Sequence, residues 1–270
     1  MEKFRLIPLL TAAVMGCTAL LAGCGKGSDS SSKAEEGAKT SDDGSINKDL
    51  TATELARLLG NGTNLGNTME AYGHKSYSAD TDPESFETLW GQPVTTEEMI
   101  KGMKASGFDS LRVPVAWTNA MEYEKGDYTI NEAYLDRVEE IINYALDNDM
   151  YVIINDHWDG SWWGMFGSSE QSDVDKAFEM YKSMWTQIAN RYKKYSDRLI
   201  FEGANEELGD RLNDTDVCKN SGSLSKAECY EMANKINQTF VDTVRATGGN
   251  NEQRFLLIAG YNTDITMTRS

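Results

Sequence analysis

Short apolar strand segments alternate with long amphipathic helical segments from residue 50 to the last residue. The clearest strands are residues 151–154 and 199–201, and the helical segment between them has an apolar residue at every third or fourth position. Fully apolar strands separated by helices are typical of βαβ units, in which a parallel sheet is covered on both faces. Two architectures therefore fit the chain: an open doubly wound sheet and a (β/α) barrel.

The same pattern predicts five strands, at residues 62–67, 110–115, 151–154, 199–201 and 255–260. It predicts helices that start at Thr51, Thr95, residue 132, Ser172 and Ser225. Long insertions follow the strands at residues 68–94, 157–171 and 207–224, and such insertions build the active face of a barrel. The first strand is not followed by a Gly-rich phosphate loop, which weakens a nucleotide-binding interpretation.

The N-terminal residues 1–23 have the pattern of a targeting segment. Lys3 and Arg5 precede an apolar run, which ends in Leu21-Ala22-Gly23-Cys24. This arrangement resembles a bacterial lipoprotein signal, which implies cleavage before Cys24 and acylation of its thiol. An uncleaved signal anchor and an ordinary secretory signal are the alternatives.

The lipoprotein interpretation predicts an exported, cell-envelope protein that contacts the membrane only through its N-terminal lipid. Residues 24–48 are rich in Ser, Gly and charged residues, so we expect a flexible tether there and a folded domain at residues 49–270.

Charge and cysteine content narrow the class of partner. The formal net charge is −17, which argues against nucleic acid and is compatible with a neutral polysaccharide. Cys218 and Cys229 are the only cysteines after Cys24, and export would permit a disulfide that their spacing cannot prove. Two cysteines without nearby histidines make a poor zinc site. We expect no metal, no cofactor and a monomer.

Polar residues lie on or just after successive strands. Asn64 and Asn67 come first, Arg112 is on the second strand, His157 follows the third, and Asn205-Glu206 follows the fourth. In a parallel barrel all strand C-termini point to one rim, so these side chains are predicted to converge there. Each residue alone has a simple structural explanation, but the whole series is typical of an active site.

Several of these segments, in this order, resemble glycoside hydrolase family 5 and its endoglucanase branch. The segments are 64–68 (NLGNT), 111–115 (LRVPV), 154–157 (INDH), Asn205-Glu206, 245–251 (RATGGNN) and 259–263 (AGYNT). The resemblance implies a (β/α)8 TIM barrel, truncated here after about five strands. It also implies a retaining endo-β-1,4-glucanase acting on cellulose or related β-glucans such as xyloglucan.

Retaining hydrolysis uses two carboxyl groups about 5 Å apart, one as proton donor and one as nucleophile. By resemblance, Glu206 is the general acid/base and Asn205 binds the 2-hydroxyl of the sugar. Arg112 and His157 match positions that orient the nucleophile and the sugar beside the cleaved bond. Asn64 and Asn67 are expected to bind substrate.

Four tryptophans are further candidates for sugar binding. Trp158, Trp162 and Trp163 follow the third strand and Trp117 follows the second. Indole faces can stack on pyranose rings. The alternative is that these rings pack over the barrel rim without meeting a sugar.

The chain departs from the family pattern in ways that matter for activity. Glu207 stands where the family usually shows Pro, and its charge would either raise the pKa of Glu206 or face solvent. No Glu follows Glu252, so no residue of this chain matches the nucleophile. We therefore expect a fragment with negligible activity and, because its sheet edges are unpaired, marginal stability. A non-catalytic carbohydrate-binding or solute-binding lipoprotein is the alternative function.

Overall fold

The computed structural model describes residues 41–157, 159, 162–214 and 222–268. The predicted signal segment, Cys24, Trp158 and Cys218 lie outside these residues. Cys229 is a buried thiol within the described part. Because Cys218 lies outside the described residues, the disulfide that export would permit stays untested.

Helices and strands alternate through the described residues. The helices are α1 (Ala52–Leu58), α2 (Pro83–Leu89), α3 (Glu97–Ala105), α4 (Glu132–Asp147), α5 (Gln171–Tyr192) and α6 (Lys226–Ala246). The strands are β1 (Gly62–Asn64), β2 (Ser110–Val113), β3 (Tyr151–Asn155), β4 (Leu199–Glu202) and β5 (Leu256–Leu257). None of the described helices is long and apolar enough to cross a membrane.

The five strands form one sheet in the order β1-β2-β3-β4-β5, with every neighbouring pair parallel. Sequential parallel strands joined by helices are the arrangement of a (β/α)8 barrel wall, so the predicted fold class is confirmed as a partial barrel. Because all strands run the same way, their C-terminal ends share one edge of the sheet. Asn64, Arg112, His157 and Asn205 lie in or after the C-terminal halves of these strands.

Strand β4 is buried on both faces, as its apolar sequence predicts, whereas Tyr151 and Ile153 leave one face of β3 partly exposed. Val152 and Ile154 in β3, and Leu199 and Phe201 in β4, have no exposed surface. Helix α5 contributes Trp185 to this core, and its ring lies 5.9 Å from that of Phe201. The central part of the sheet is therefore a rigid base for the polar residues at its edge.

Two helix starts differ from the prediction. Thr96, not Thr95, caps α3, because the Thr95 amide instead donates to Glu87 Oε2 at 2.8 Å. Helix α5 starts at Gln171 and lacks a side-chain cap, so the predicted cap at Ser172 is wrong. The capping boxes at Thr51 and Ser225 and the bounds of α4 are confirmed.

The last part of the predicted tether, residues 41–48, is attached to the folded domain. Asp42 accepts hydrogen bonds from the amide and hydroxyl of Ser196 at 2.8 and 2.6 Å. Asn250 Nδ2 donates to the carbonyl of Gly44 at 2.7 Å. Asp42 and Gly44, which precede the domain start predicted at residue 49, therefore contact the folded domain. Polar hydrogen bonds hold this segment in place. The hydrophobicity of its sequence therefore could not indicate that it is attached to the domain.

Candidate active site

An ion pair links two strands that are not adjacent in the sheet. Arg112 on β2 donates from Nε to Glu202 Oε2 at 2.6 Å and from Nη2 to Glu202 Oε1 at 3.0 Å. Glu202 is the last residue of β4, so the pair spans β3. Both side chains are mostly buried, and a bidentate Arg–carboxylate pair fixes the orientation of both groups. Sequence reasoning did not assign a role to Glu202.

Arg112 also orients Asn205, three residues beyond the end of β4. Its Nη2 donates to Asn205 Oδ1 at 2.8 Å. Because guanidinium groups can only donate, this contact fixes the amide with its oxygen toward Arg112. The Nδ2 group of Asn205 is then available as a donor to a ligand hydroxyl. The predicted proximity of Arg112 and Asn205 is therefore observed.

The segment that carries Asn205 and Glu206 is fixed at Gly203, which packs against side chains of two helices. The Tyr181 hydroxyl from α5 donates to the Gly203 carbonyl at 2.7 Å. A Cβ at this position would lie 2.7 Å from Phe240 Cδ1 and 3.1 Å from Tyr181 Oη, so only glycine allows this close approach. Glu206 itself is exposed at the end of the turn. Its carboxyl group can therefore meet a ligand.

His157 lies behind Arg112 with its ring orientation fixed by Asn155. The Val115 amide donates to Asn155 Oδ1 at 3.3 Å, which leaves Asn155 Nδ2 as the donor to His157 Nδ1 at 3.2 Å. The ring proton of neutral His157 is thereby placed on Nε2. Burial, and then the positive charge of Arg112, lower the pKa of His157 to about 4. At neutral pH the ring is an uncharged hydrogen-bond donor.

The loop after β1 brings Asn64 and Asn67 to the same edge as Arg112. Asn64 is paired with Arg112 in the register of β1 and β2. Asn67 has a left-handed backbone, with φ 63°, and its amide donates to the buried Glu70 carboxylate. The Thr68 amide donates to the same carboxylate at 2.8 Å. Both asparagine side chains are exposed at the edge, where a substrate can reach them.

The tryptophans predicted to stack on sugars are buried. Trp117 has no exposed surface and donates from Nε1 to the Asn155 carbonyl at 2.8 Å. Trp162 and Trp163 are 2% and 1% exposed, and their rings stack on each other at 4.5 Å. A ring with no accessible face cannot stack on a sugar, so these three predictions are corrected: the rings build the wall beneath the rim.

The described residues place an exposed indole elsewhere. Trp90 is 44% exposed, and its ring centroid lies 5.4 Å from that of Tyr72. Tyr72 also borders a cleft of about 620 Å³ between the loops after β1 and β2, with His74, Phe86, Asn119 and Tyr123 among its lining residues. Neither Arg112 nor Glu206 lines this cleft. Trp90 was missed because it follows a helix instead of a strand.

Two buried acids, Asp156 and Asp159, flank His157 in the sequence. Asp159 accepts hydrogen bonds from the amide and the hydroxyl of Thr118, the first at 2.9 Å, and burial raises its pKa to about 6. Asp156 is fully buried, and neither carboxyl oxygen has a hydrogen-bond donor among the described residues. Burial and then Asp159 raise the pKa of Asp156 well above its usual value. The two groups are stable together when a proton is shared between them.

These acids do not form a metal centre. Within the part of the chain that the structure describes, no group of three His, Cys, Asp or Glu side chains is arranged to hold a metal ion. The chemistry available at this edge is that of an exposed carboxyl group, an oriented amide and a neutral imidazole.

Comparison with known proteins places this arrangement in a family. A family model described as Cellulase (glycosyl hydrolase family 5) matches residues 72–270. A xyloglucan-specific endo-beta-1,4-glucanase from Bacteroides ovatus is 40% identical over 221 residues, which cover 81% of this chain and 40% of that protein. Endoglucanase A from Paenibacillus barcinonensis is 37% identical, covering 82% of this chain and 51% of that protein.

A solved structure agrees with the sequence relatives. The GH5-4 broad specificity endoglucanase from Ruminococcus champanellensis with bound cellotriose superposes with a TM-score of 0.67 and 40% identity, over 79% of this chain and 58% of that one. The chain spans about half the length of the relatives it matches. The match over residues 72–270, on a parallel α/β sheet with polar strand ends, shows that the chain belongs to glycosyl hydrolase family 5.

Proposed function

We propose that the protein is a retaining endo-β-1,4-glucanase that acts on cellulose or on related β-glucans such as xyloglucan, with Glu206 as its general acid/base. One observation carries the proposal: Arg112, Glu202 and Asn205 form a hydrogen-bonded group directly before an exposed Glu206, in a chain of glycosyl hydrolase family 5. The names of the relatives support a β-glucan substrate, since one is xyloglucan-specific and another holds cellotriose.

In the proposed mechanism Glu206 protonates the glycosidic oxygen as the bond breaks. Asn205 Nδ2 donates to the sugar 2-hydroxyl, an interaction that strengthens as the oxocarbenium-like state forms. Arg112 holds the Asn205 amide in the required orientation. His157 Nε2–H offers a second donor to the sugar. The partner carboxylate that such a double displacement requires is not assigned to a residue of this chain.

Glu206→Gln tests the acid role in the protein expressed from its native reading frame. Turnover of cellulose and xyloglucan should fall by about 10²–10⁴-fold, because Gln cannot donate the proton. Aryl glycosides with activated leaving groups should lose much less, since their leaving groups depart without protonation. Glu231→Gln, which changes an exposed carboxylate on α6, is the matched control and should have wild-type turnover.

Two results would contradict this assignment. An equal loss on both substrate classes would remove the acid role from Glu206. Binding of cellulose or xyloglucan without any hydrolysis by the wild-type protein would favour the alternative, a non-catalytic carbohydrate-binding protein.

We also propose that the protein is an envelope lipoprotein anchored through Cys24. The support is the sequence alone: a basic start, an apolar run and Leu21-Ala22-Gly23-Cys24. Metabolic labelling with a clickable fatty acid should label the wild type and Cys17→Ser but not Cys24→Ser. Labelling of Cys24→Ser would overturn the assignment.

A further inference from the structure

Glu207 directly follows the proposed proton donor, yet its side chain points the opposite way. Glu206 is exposed, whereas Glu207 has no exposed surface. The expectation that Glu207 could face solvent is therefore wrong. Its Oε2 accepts the backbone amide of Asn205 at 2.6 Å, which closes the turn that carries Glu206. Its Oε1 has no hydrogen-bond partner among the described residues.

The groups around Glu207 are mainly acidic. Asp156 at the end of β3 and Glu202 at the end of β4 both act on it electrostatically, and Tyr181 approaches from α5. Arg211, which is exposed on the segment after the turn, opposes them. Burial raises the pKa of Glu207 to about 8 and outweighs the hydrogen bonds from the Glu207 and Asn205 amides, which by themselves lower it. At neutral pH the group is thus mostly an uncharged carboxylic acid.

Burial outweighs the preference of the Asn205 hydrogen bond for the carboxylate, so the buried side chain holds the turn as a neutral acid. The neutral group accepts the Asn205 amide and carries no charge that would have to be solvated. An ionised Glu207 would place a second negative charge beside Glu202 in a site closed to water, which is costly. The charged side chain would therefore leave its place, and the Asn205 amide would lose its acceptor.

We propose that Glu207 is a positioning residue: its buried carboxylic acid holds the Asn205-Glu206 turn, and ionisation of Glu207 releases that turn. This role rests on the proposed function of Glu206 as proton donor. The contact itself does not depend on that function, so it can be tested without any hydrolysis.

The test is a pH titration by NMR of the 270-residue chain carrying ¹⁵N-labelled asparagine and ¹³C-labelled glutamate carboxyl groups. The Asn205 amide and the Glu207 carboxyl resonances should shift together, with a common midpoint near pH 8. In Glu207→Gln, whose amide oxygen still accepts the Asn205 N–H, the Asn205 resonance should stay at its low-pH position up to pH 9.5. In Glu207→Ala it should be displaced at every pH. Glu206→Gln is the matched control and should keep the wild-type titration of Asn205.

Two outcomes would overturn the proposal. One is a Glu207 carboxyl that titrates in the ordinary range of a glutamate. The other is an Asn205 amide that does not move while Glu207 ionises. The wild-type titration alone decides both, so the proposal stays testable even where a variant fails to fold. Loss of the assigned Glu206 role in turnover assays would leave this result unchanged, so the two failures are distinguishable.

Discussion

Arg112 and Glu202 are joined by two parallel hydrogen bonds, 2.6 and 3.0 Å long, across the intervening strand β3. The same guanidinium group holds the Asn205 side chain at 2.8 Å. One arginine thus sets the geometry of both the end of β4 and the turn that follows it. The contributions of Arg112 and of its neighbours to stability can be measured in the chain without a substrate.

Arg112→Lys should lower the free energy of unfolding by about 1.5–3 kcal/mol, because an ammonium group cannot make the bidentate contact with Glu202 and also reach Asn205. Urea-induced unfolding followed by tryptophan fluorescence measures the change. Arg57→Lys, at an exposed position on α1, is the matched control and should change stability little. Equal stability of Arg112→Lys and wild type would show that the pair contributes nothing.

His157 should make stability fall as the pH is lowered. Its folded pKa is about 4 and its usual value is 6.5, so the unfolded chain takes up the proton first. The contribution is complete above pH 6.5 and is lost between pH 6.5 and 4, at no more than about 1.4 kcal/mol per pH unit. Urea unfolding at several pH values should show this slope in wild type and a smaller one in His157→Gln.

The other histidine provides the control for this measurement. His74→Gln, at an exposed position, should retain the wild-type slope. A His157→Gln slope that matches wild type would mean that His157 is not held neutral by its surroundings.

Glu207 should make stability fall as the pH is raised, which is opposite to the effect of His157. Its folded pKa is raised to about 8 from 4.5, so the unfolded chain releases the proton first as the pH rises. Stability should therefore fall between pH 4.5 and 8, by up to about 1.4 kcal/mol per pH unit. Glu207→Gln should remove this slope and unfold at a higher temperature than wild type at pH 7.5. A lower melting temperature for Glu207→Gln at that pH would contradict the buried, neutral state of Glu207.

Gly203 and Gly102 differ in the space around the position that the methyl group of an alanine would occupy. Gly203→Ala should destabilise the protein by about 1–3 kcal/mol, because its Cβ would lie 2.7 Å from Phe240 and disturb the turn before Asn205. Gly102→Ala, in α3 with nothing within 4 Å, should stabilise it by about 0.5–1 kcal/mol. Thermal unfolding of both variants measures the contrast. A similar change in stability at both positions would show that the backbone near Gly203 can shift to accommodate a methyl group at little cost.

The apolar strands and amphipathic helices determined a parallel α/β sheet and the edge at which the site forms, but left an open sheet and a barrel as alternatives. Their periodicities depend on local backbone geometry, so residues 151–154 and 132–147 could be recognised without knowing their partners. The parallel direction then followed, and with it the convergence of Arg112, His157 and Asn205-Glu206 at one edge. The family motifs carried the same information in a more specific form.

Only the tertiary structure decided which way each side chain points and what it meets there. Trp117, Trp162 and Trp163 were candidates for stacking on sugars, with packing at the rim as the alternative, and the structure buries all three rings. Glu202 and Glu207 flank the same turn, yet one pairs with Arg112 and the other closes the turn from the protein interior. The local sequence shows only that a carboxyl group is present. Its pKa and its role depend on the neighbours that the rest of the chain places around it.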